Sequence, residues 1–355
     1  MNFYYKFPVV KGIQAGREYY IAMIPLKMLS KLFPTEEEYV LPEYRAQRKL
    51  NEARIPEIKK YIINNPDSYV FSALAASIDG EFHFIPSDPP ETGVLEVSMD
   101  AKFLINDGQH RKAAILAAIE ERDDLGDESI SVVFYEDRGL SRSQQMFTDL
   151  NKHAVKTSNS IAELYDSRDA LAVTTRTVIA SIPFLNDYVD KEKDNLGKFS
   201  SALFTLNTFY TANKRILRRN ECDERFEEFL GKFWETVVDH MIPWNDVKNK
   251  EISKRELREQ YIASQAVVIQ AFGRVGAFLF DQPEYSMDNH LSRIVNINWK
   301  RNAEDWKLRV IRGNGRMINN TNAIILAGNV IKKYTSLPLT DDELAAEQRF
   351  MKDKL

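Results

Sequence analysis

The stretch Phe103–Ile119 constrains this chain more than any other part of it. An apolar run, Phe103-Leu-Ile105, leads to Asn106, Asp107 and Gly108, and an alanine-rich aliphatic run follows from Gln109. The pattern predicts a buried strand, a tight turn and a helix opening near Gln109. Glycine at 108 admits conformations that a Cβ opposes and lets another backbone or a ligand approach closely. A helix N-terminus leaves N–H groups unpaired, and with the helix dipole these favour an anion. His110 and Arg111 in the first helical turn add donors to the same anion. Asp107 and His110 are the candidates for catalytic work, beside a metal or an attacking water. The same residues equally describe a strand-to-helix turn with Asp107 as N-cap and an exposed His–Arg pair.

The rest of the chain groups around this junction. Phe7–Val10 and Tyr19–Ile24 read as extended runs separated by Gly12 and Gly16, and Leu26–Phe33 as a short helix stopped by Pro34. Glu36–Asn64 has helical spacing, with Leu50, Ile55, Ile58, Tyr61 and Ile62 on one face and Arg45, Arg48 and Arg54 on the polar side. Pro66 ends it. Tyr69–Ile78 and Glu81–Ile85 read as strands joined by a two-residue hairpin turn at Asp79–Gly80. Val94–Met99 and Ser129–Tyr135 supply further strands. Ser141 and Gln144 form a capping box that opens a helix carrying Met146, Phe147 and Leu150. Its end, Asn151-Lys152-His153, brings polar groups toward the turn at 107–111.

From about 160 glycine becomes scarce and helical periodicity prevails, with helices expected near 160–181, 200–218, 222–241, 254–280 and 321–334. At 355 residues the chain is long for one core. The expected class is therefore α+β, with a mixed α/β domain over 1–160 followed by a predominantly α-helical domain over 161–355.

Composition sets limits on function. The single cysteine, Cys222, rules out an intrachain disulfide and a cysteine metal cluster, which fits a reducing cytosol. The first residues lack the features of a signal peptide. The apolar window Tyr261–Phe280 is interrupted by Ser264, Gln265, Gln270 and Arg274, so it reads as a buried helix and not as a membrane span. A cytoplasmic protein without membrane contact is expected. A net charge of −4 argues against indiscriminate coating of nucleic acid, but not against a local DNA site. Two segments are locally basic. One holds Lys214, Arg215, Arg218 and Arg219. The other, Arg293–Arg316, holds Lys300, Arg301, Lys307, Arg309, Arg312 and Arg316 against Glu304 and Asp305, with Trp299 and Trp306 interleaved. Such cations supply phosphate contacts and can reach base edges. A solvated charged surface over a tryptophan core accounts for the same residues. There is no zinc-finger spacing, basic zipper or clear helix-turn-helix signature.

The pentapeptide Asp107-Gly-Gln-His-Arg111 resembles the signature of the DGQHR family of prokaryotic proteins. With Gly12–Tyr20, Arg45–Ile58 and Phe147–His153, most of the chain is similar to one branch of it, the DndB family of DNA sulfur modification. That resemblance implies a DNA-binding negative regulator of the operon whose enzymes replace a non-bridging phosphate oxygen of DNA with sulfur. Its partners would be double-stranded promoter DNA and the phosphorothioate modification enzymes, with homo-oligomers left open. It also implies a ParB/sulfiredoxin-like N-terminal domain whose turn holds nucleotide phosphates. The residues concerned would be Gly108, Gln109, His110 and Arg111, joined by Asn151 and Lys152, with ATP and Mg²⁺ as the cofactor to test. No Walker A loop occurs. Gln109 stands in the neighbourhood where the sulfiredoxin turn has its cysteine, which argues against that repair chemistry. A nucleotide-hydrolysing enzyme using the turn, and a non-catalytic scaffold for the modification enzymes, are the alternatives.

Overall fold

A computed structural model describes residues 3–34, 52–136, 145, 157–197, 199–218 and 220–354. The chain divides into two compact units, Met1–Val155 and Lys156–Leu355.

The first unit is built on a mixed seven-stranded sheet. Its strands are β1 (Tyr4–Gln14), β2 (Arg17–Pro25), β3 (Leu74–Asp79), β4 (Phe82–Pro86), β5 (Thr92–Ser98), β6 (Lys102–Asp107) and β7 (Ser129–Glu136), in the order β4-β5-β1-β2-β7-β3-β6. Every pairing is antiparallel except β3 with β7. The β1–β2 hairpin closes on Ala15 and Gly16, both at positive φ, with Gln14 opposite Arg17. That backbone form matches the twist of the strands it joins. Alternation then buries Phe7 and Val9 on β1 and Tyr20, Ala22 and Ile24 on β2.

Asp79–Gly80 does not form the expected hairpin turn. Strand β3 pairs with β6 and β7, whereas β4 pairs with β5. The two strands are halves of one long ribbon. Asp79 lies opposite Lys102 and Phe82 opposite Val97, and Ser98 N donates to Glu81 O at 2.9 Å across the break. The turn of that ribbon is the proline-rich loop 87–91, where Ser87 N donates to Thr92 O at 2.8 Å. Gly80, at φ 141°, marks a bend, and a Cβ there would stand 2.6 Å from Ala101 Cβ. Because the halves of the ribbon occupy both ends of the strand order, the sheet curls on itself. The strand expected from Tyr69 begins only at Leu74.

Three helices accompany the sheet among the described residues: α1 (Leu29–Leu32), α2 (Ile55–Asn64) and α3 (Gln109–Ile119). Helix α3 turns Ala114, Ile115 and Ala118 inward and packs on α2. Phe103, partly buried, packs against this core and meets Phe33 and Phe134 at centroid separations of 6.1 and 5.6 Å. Arg45, Arg48, the capping box at 141–144, and Asn151, Lys152 and His153 lie outside the described residues.

The second unit is mostly helical. Its helices are α4 (Asn159–Tyr165), α5 (Ala170–Ser181), α6 (Pro183–Tyr188), α7 (Leu206–Leu217), α8 (Glu224–His240), α9 (Ile242–Lys248), α10 (Lys254–Gln260), α11 (Ala266–Asp281), α12 (Met287–Leu291), α13 (Thr321–Thr335) and α14 (Asp341–Lys354). Side-chain oxygens of Ser158, Asp169, Thr205, Asp223, Ser253, Ser286 and Asn320 accept N–H groups at helix starts. Helix α11 is almost wholly apolar and lies against α7 and α13. Gly273 permits the α7 approach, since a Cβ there would meet Ala212 O at 2.7 Å. Trp299 and Trp306 are buried and stacked 5.5 Å apart, which places the tryptophans of the basic segment in the core. Among the described residues no helix is long and apolar enough to cross a membrane.

Candidate functional site

Strand β6 ends at Asp107, Gly108 takes φ 103°, and α3 begins at Gln109. A Cβ on residue 108 would collide with Leu74 Cδ2, so both the dihedral and the space call for glycine. Within the first turn of the helix, Arg111 reaches back over the glycine. One of its terminal nitrogens donates to Asp107 Oδ2 at 2.5 Å. The other donates to Ser72 O at 2.6 Å, Ser72 Oγ at 2.5 Å and Ala73 O at 2.8 Å. A half-buried guanidinium thus ties the end of β6, the start of α3 and the segment entering β3 into one clamp.

The Asp107 carboxylate is therefore turned to Arg111, and the N-cap position of α3 is taken by Gly108, which has no side chain to offer. The first intrahelical bond runs from Lys112 N to Gly108 O at 2.9 Å. Gln109 Nε2 donates to Ile105 O at 3.4 Å, and His110 lies half-buried on the first turn. Gly108, Gln109, His110 and Arg111 are thus neighbours at one helix start, while Asn151 and Lys152 lie outside the described residues. Among the described residues no three His, Cys, Asp or Glu side chains converge as a metal site.

The basic residues of the helical unit sort by what they touch. Lys214 Nζ lies 5.9 Å from the Tyr210 ring centroid. Arg215 donates to Gln270 Oε1 at 3.0 Å, and burial with the nearby Arg274 charge holds its guanidinium below the usual range. Arg218 pairs with Asp281 at 2.9 Å, and Arg219 lies outside the described residues. Arg301 reaches Glu259 O at 3.5 Å, and Lys307 pairs with Glu304. Arg309 grips both carboxylate oxygens of Glu347, with one contact at 2.7 Å, and lies 4.2 Å from the Phe350 centroid. Lys300, Arg312 and Arg316 face solvent.

Arg312 and Arg316 flank the tip of a small hairpin. Arg312 N donates to Arg316 O at 2.9 Å, and Gly315, at φ 78°, donates its N–H to Arg312 O at 2.8 Å. Asn314 at the tip accepts the Arg316 N–H on its Oδ1 at 3.1 Å. Below it, Ile318 N donates to Val310 O at 2.7 Å, and Trp306 Nε1 donates to Asn298 O at 2.7 Å. The tip therefore projects two guanidiniums from a base fixed in the core.

Two further clusters were not anticipated from the sequence. Burial and the charges of Asp194 and Asp169 push the Glu163 carboxyl up to about 7, against the opposing charge of Lys214. Lys332 and Glu343 form an ion pair at 2.7 Å that is 1% and 2% exposed. Contacts this distant in sequence leave no local signal beyond the Glu343–Glu347 spacing on α14.

A family model for DndB, described as DNA-sulfur modification-associated, matches residues 7–338. No curated protein and no solved structure matches the chain. The family match takes in the sheet, the Asp107–Arg111 turn and the helical unit as far as α13, and it ends ahead of α14. The chain therefore belongs to the DndB family, associated with DNA sulfur modification.

Proposed function

We propose that this DndB-family chain is a DNA-binding negative regulator of the phosphorothioation operon, working in the cytoplasm on double-stranded promoter DNA. Family membership supports the link to sulfur modification. The observation that carries DNA contact is the Arg312–Arg316 hairpin tip. Its two exposed guanidiniums have no carboxylate partner among the described residues, and they flank an asparagine on a glycine-bounded turn. Guanidiniums release phosphate counterions and bond guanine edges, and asparagine bonds adenine. Lys300 adds a further exposed cation from the same segment, and Lys214 and Arg218 supply a second patch. The modification enzymes, and self-association, enter the same proposal as further partners. The test is a mobility shift on the operon's own promoter, comparing the wild type with Arg312→Ala/Arg316→Ala. Weaker retardation by the folded variant supports the reading, and equal affinity overturns it.

A second reading places a nucleotide at the Asp107–Arg111 turn, which we liken to the phosphate-holding turn of ParB/sulfiredoxin-like domains. The placement of Gly108 at the N-cap of α3, where a ligand can approach the backbone closely, favours it. Arg111 weighs the other way, because a phosphate would compete with Asp107, Ser72 and Ala73 for the same guanidinium. Titration of labelled ATP with Mg²⁺ tests this reading. Binding by the wild type that is weakened in Arg111→Ala would support it.

A further inference from the structure

We infer that the face of the helical unit covered by α14 is a DNA-backbone surface, and that α14 is an internal occupant which duplex phosphates displace. The inference rests on DNA being the ligand, as proposed above.

Three cations from three separate elements converge on α14. Arg274 of α11 donates to Asp342 Oδ2 at 2.6 Å and to Glu343 Oε1 at 3.1 Å. Lys332 of α13 bonds Glu343 Oε2 at 2.7 Å. Arg309, from the loop before α13, holds Glu347 through both terminal nitrogens. Arg215 lies close enough to Arg274 to feel its charge, and its buried Nε has no acceptor among the described residues. The surface beneath α14 is thus cationic, and α14 supplies the carboxylates that neutralise it.

Those carboxylates do most of the anchoring. Ala346 is buried, but Leu344 and Met351 are 45% and 51% exposed, and Phe350 lies over the Arg309 guanidinium rather than in a core. Asn329 Nδ2 adds bonds to Glu343 O at 3.0 Å and Glu347 Oε2 at 3.1 Å. Removing one partner of a buried ion pair is costly because the other charge is left unpaired, whereas replacing it with another anion avoids that cost. A helix held in this way can be exchanged for another polyanion when both sets of charges find new partners together. The bidentate Arg309–Glu347 geometry is one that arginine also uses for phosphate. The family match contains Arg274, Arg309 and Lys332 but ends at residue 338, before every carboxylate that pairs with them.

The test uses the full chain. Wild type and Asp342→Asn/Glu347→Gln are titrated with promoter duplex over a range of salt, and their folding is checked by thermal melting. The variant should bind about tenfold more tightly, and its log K against log salt slope should steepen by roughly 0.9 for each cation released to a phosphate. A peptide of residues 340–355 added in excess should reverse the gain. Equal affinity and slope in the folded variant would overturn the inference and leave the regulator standing. If the variant fails to fold, hydrogen exchange on the wild type decides. Saturating duplex should deprotect the amides of 341–354, and unchanged protection would overturn the displacement. Absence of duplex binding by every form would remove the DNA reading itself, and this inference with it.

Discussion

Arg111 bonds Asp107 at 2.5 Å across Gly108, so the two charged residues of the pentapeptide are partners of one another. The same guanidinium closes on the carbonyls of Ser72 and Ala73, 39 and 38 residues away. The motif thus works as a clamp joining β6, α3 and the entry to β3.

Arg111→Ala should destabilise the first unit by about 1.5–3 kcal/mol, the range for hydrogen bonds to a charged group. Arg111→Lys should recover only part of this, because an ammonium cannot reproduce the planar fork that serves Asp107 and the loop together. Chemical denaturation of the three proteins checks it. Equal midpoints and slopes would show that the clamp adds nothing to stability.

Gly108→Ala should cost more than about 1 kcal/mol. The left-handed φ is unfavourable for alanine, and the added Cβ runs into Leu74. Leu74→Ala carries a cavity cost of its own because Leu74 is fully buried, so the dihedral part is the cost of Gly108→Ala measured against a Leu74→Ala background. A melting temperature in the single variant equal to wild type would refute the strain.

Local periodicity made β1, β2, β6, α3 and most of the second unit's helices legible, since each repeats every 2 or 3.6 residues. Asp79–Gly80 was misleading because a hairpin and a bend within a strand use the same residues. Only the pairing of β3 with β6 and of β4 with β5 separates them. The basic segments were visible as charge density, but density does not report partners. Arg309 is held by Glu347, 38 residues further on, whereas Arg312 and Arg316, only a few positions away, face solvent.

That difference gives a comparison within one segment. Arg312→Ala/Arg316→Ala should weaken duplex binding and flatten the salt slope by roughly 0.9 for each phosphate that is no longer neutralised. Lys307→Ala, which removes an exposed cation already paired with Glu304, should change the slope less. Equal slopes for the wild type and the Arg312/Arg316 variant would move the binding surface elsewhere.

Attachment of α14 should fail in acid. Burial raises the Glu343 carboxyl, but bonds from Lys332 and from Thr340 N–H, with the Arg274 charge, outweigh it and hold the group below the usual range. The bonds from Arg309 and Asn329 likewise outweigh burial at Glu347. Carboxyls lowered on folding stabilise the folded state above their unfolded values, near 4.5, and that stability is lost as pH falls through the lowered values. Hydrogen exchange in 341–354 should therefore speed up below about pH 4 relative to the rest of the second unit. Uniform protection down to global unfolding would contradict this.

Glu163 should show the opposite dependence. Burial first, then Asp194 and Asp169, push its carboxyl to about 7 from 4.5, while Lys214 opposes them. Close by, Tyr210 donates to Asp169 Oδ2 at 2.5 Å, and Arg176 donates to the Glu163 carbonyl. A carboxyl whose value is raised on folding favours the folded state while protonated. Its contribution is complete below pH 4.5 and is lost as pH rises through 7. Glu163→Gln removes that loss while keeping the shape of the side chain. The variant should melt near the wild type at pH 4.5, and its advantage should grow to a plateau above pH 7. Thermal melts from pH 4.5 to 8 measure the difference, and an offset independent of pH would show that Glu163 ionises as freely in the folded chain as in the unfolded one.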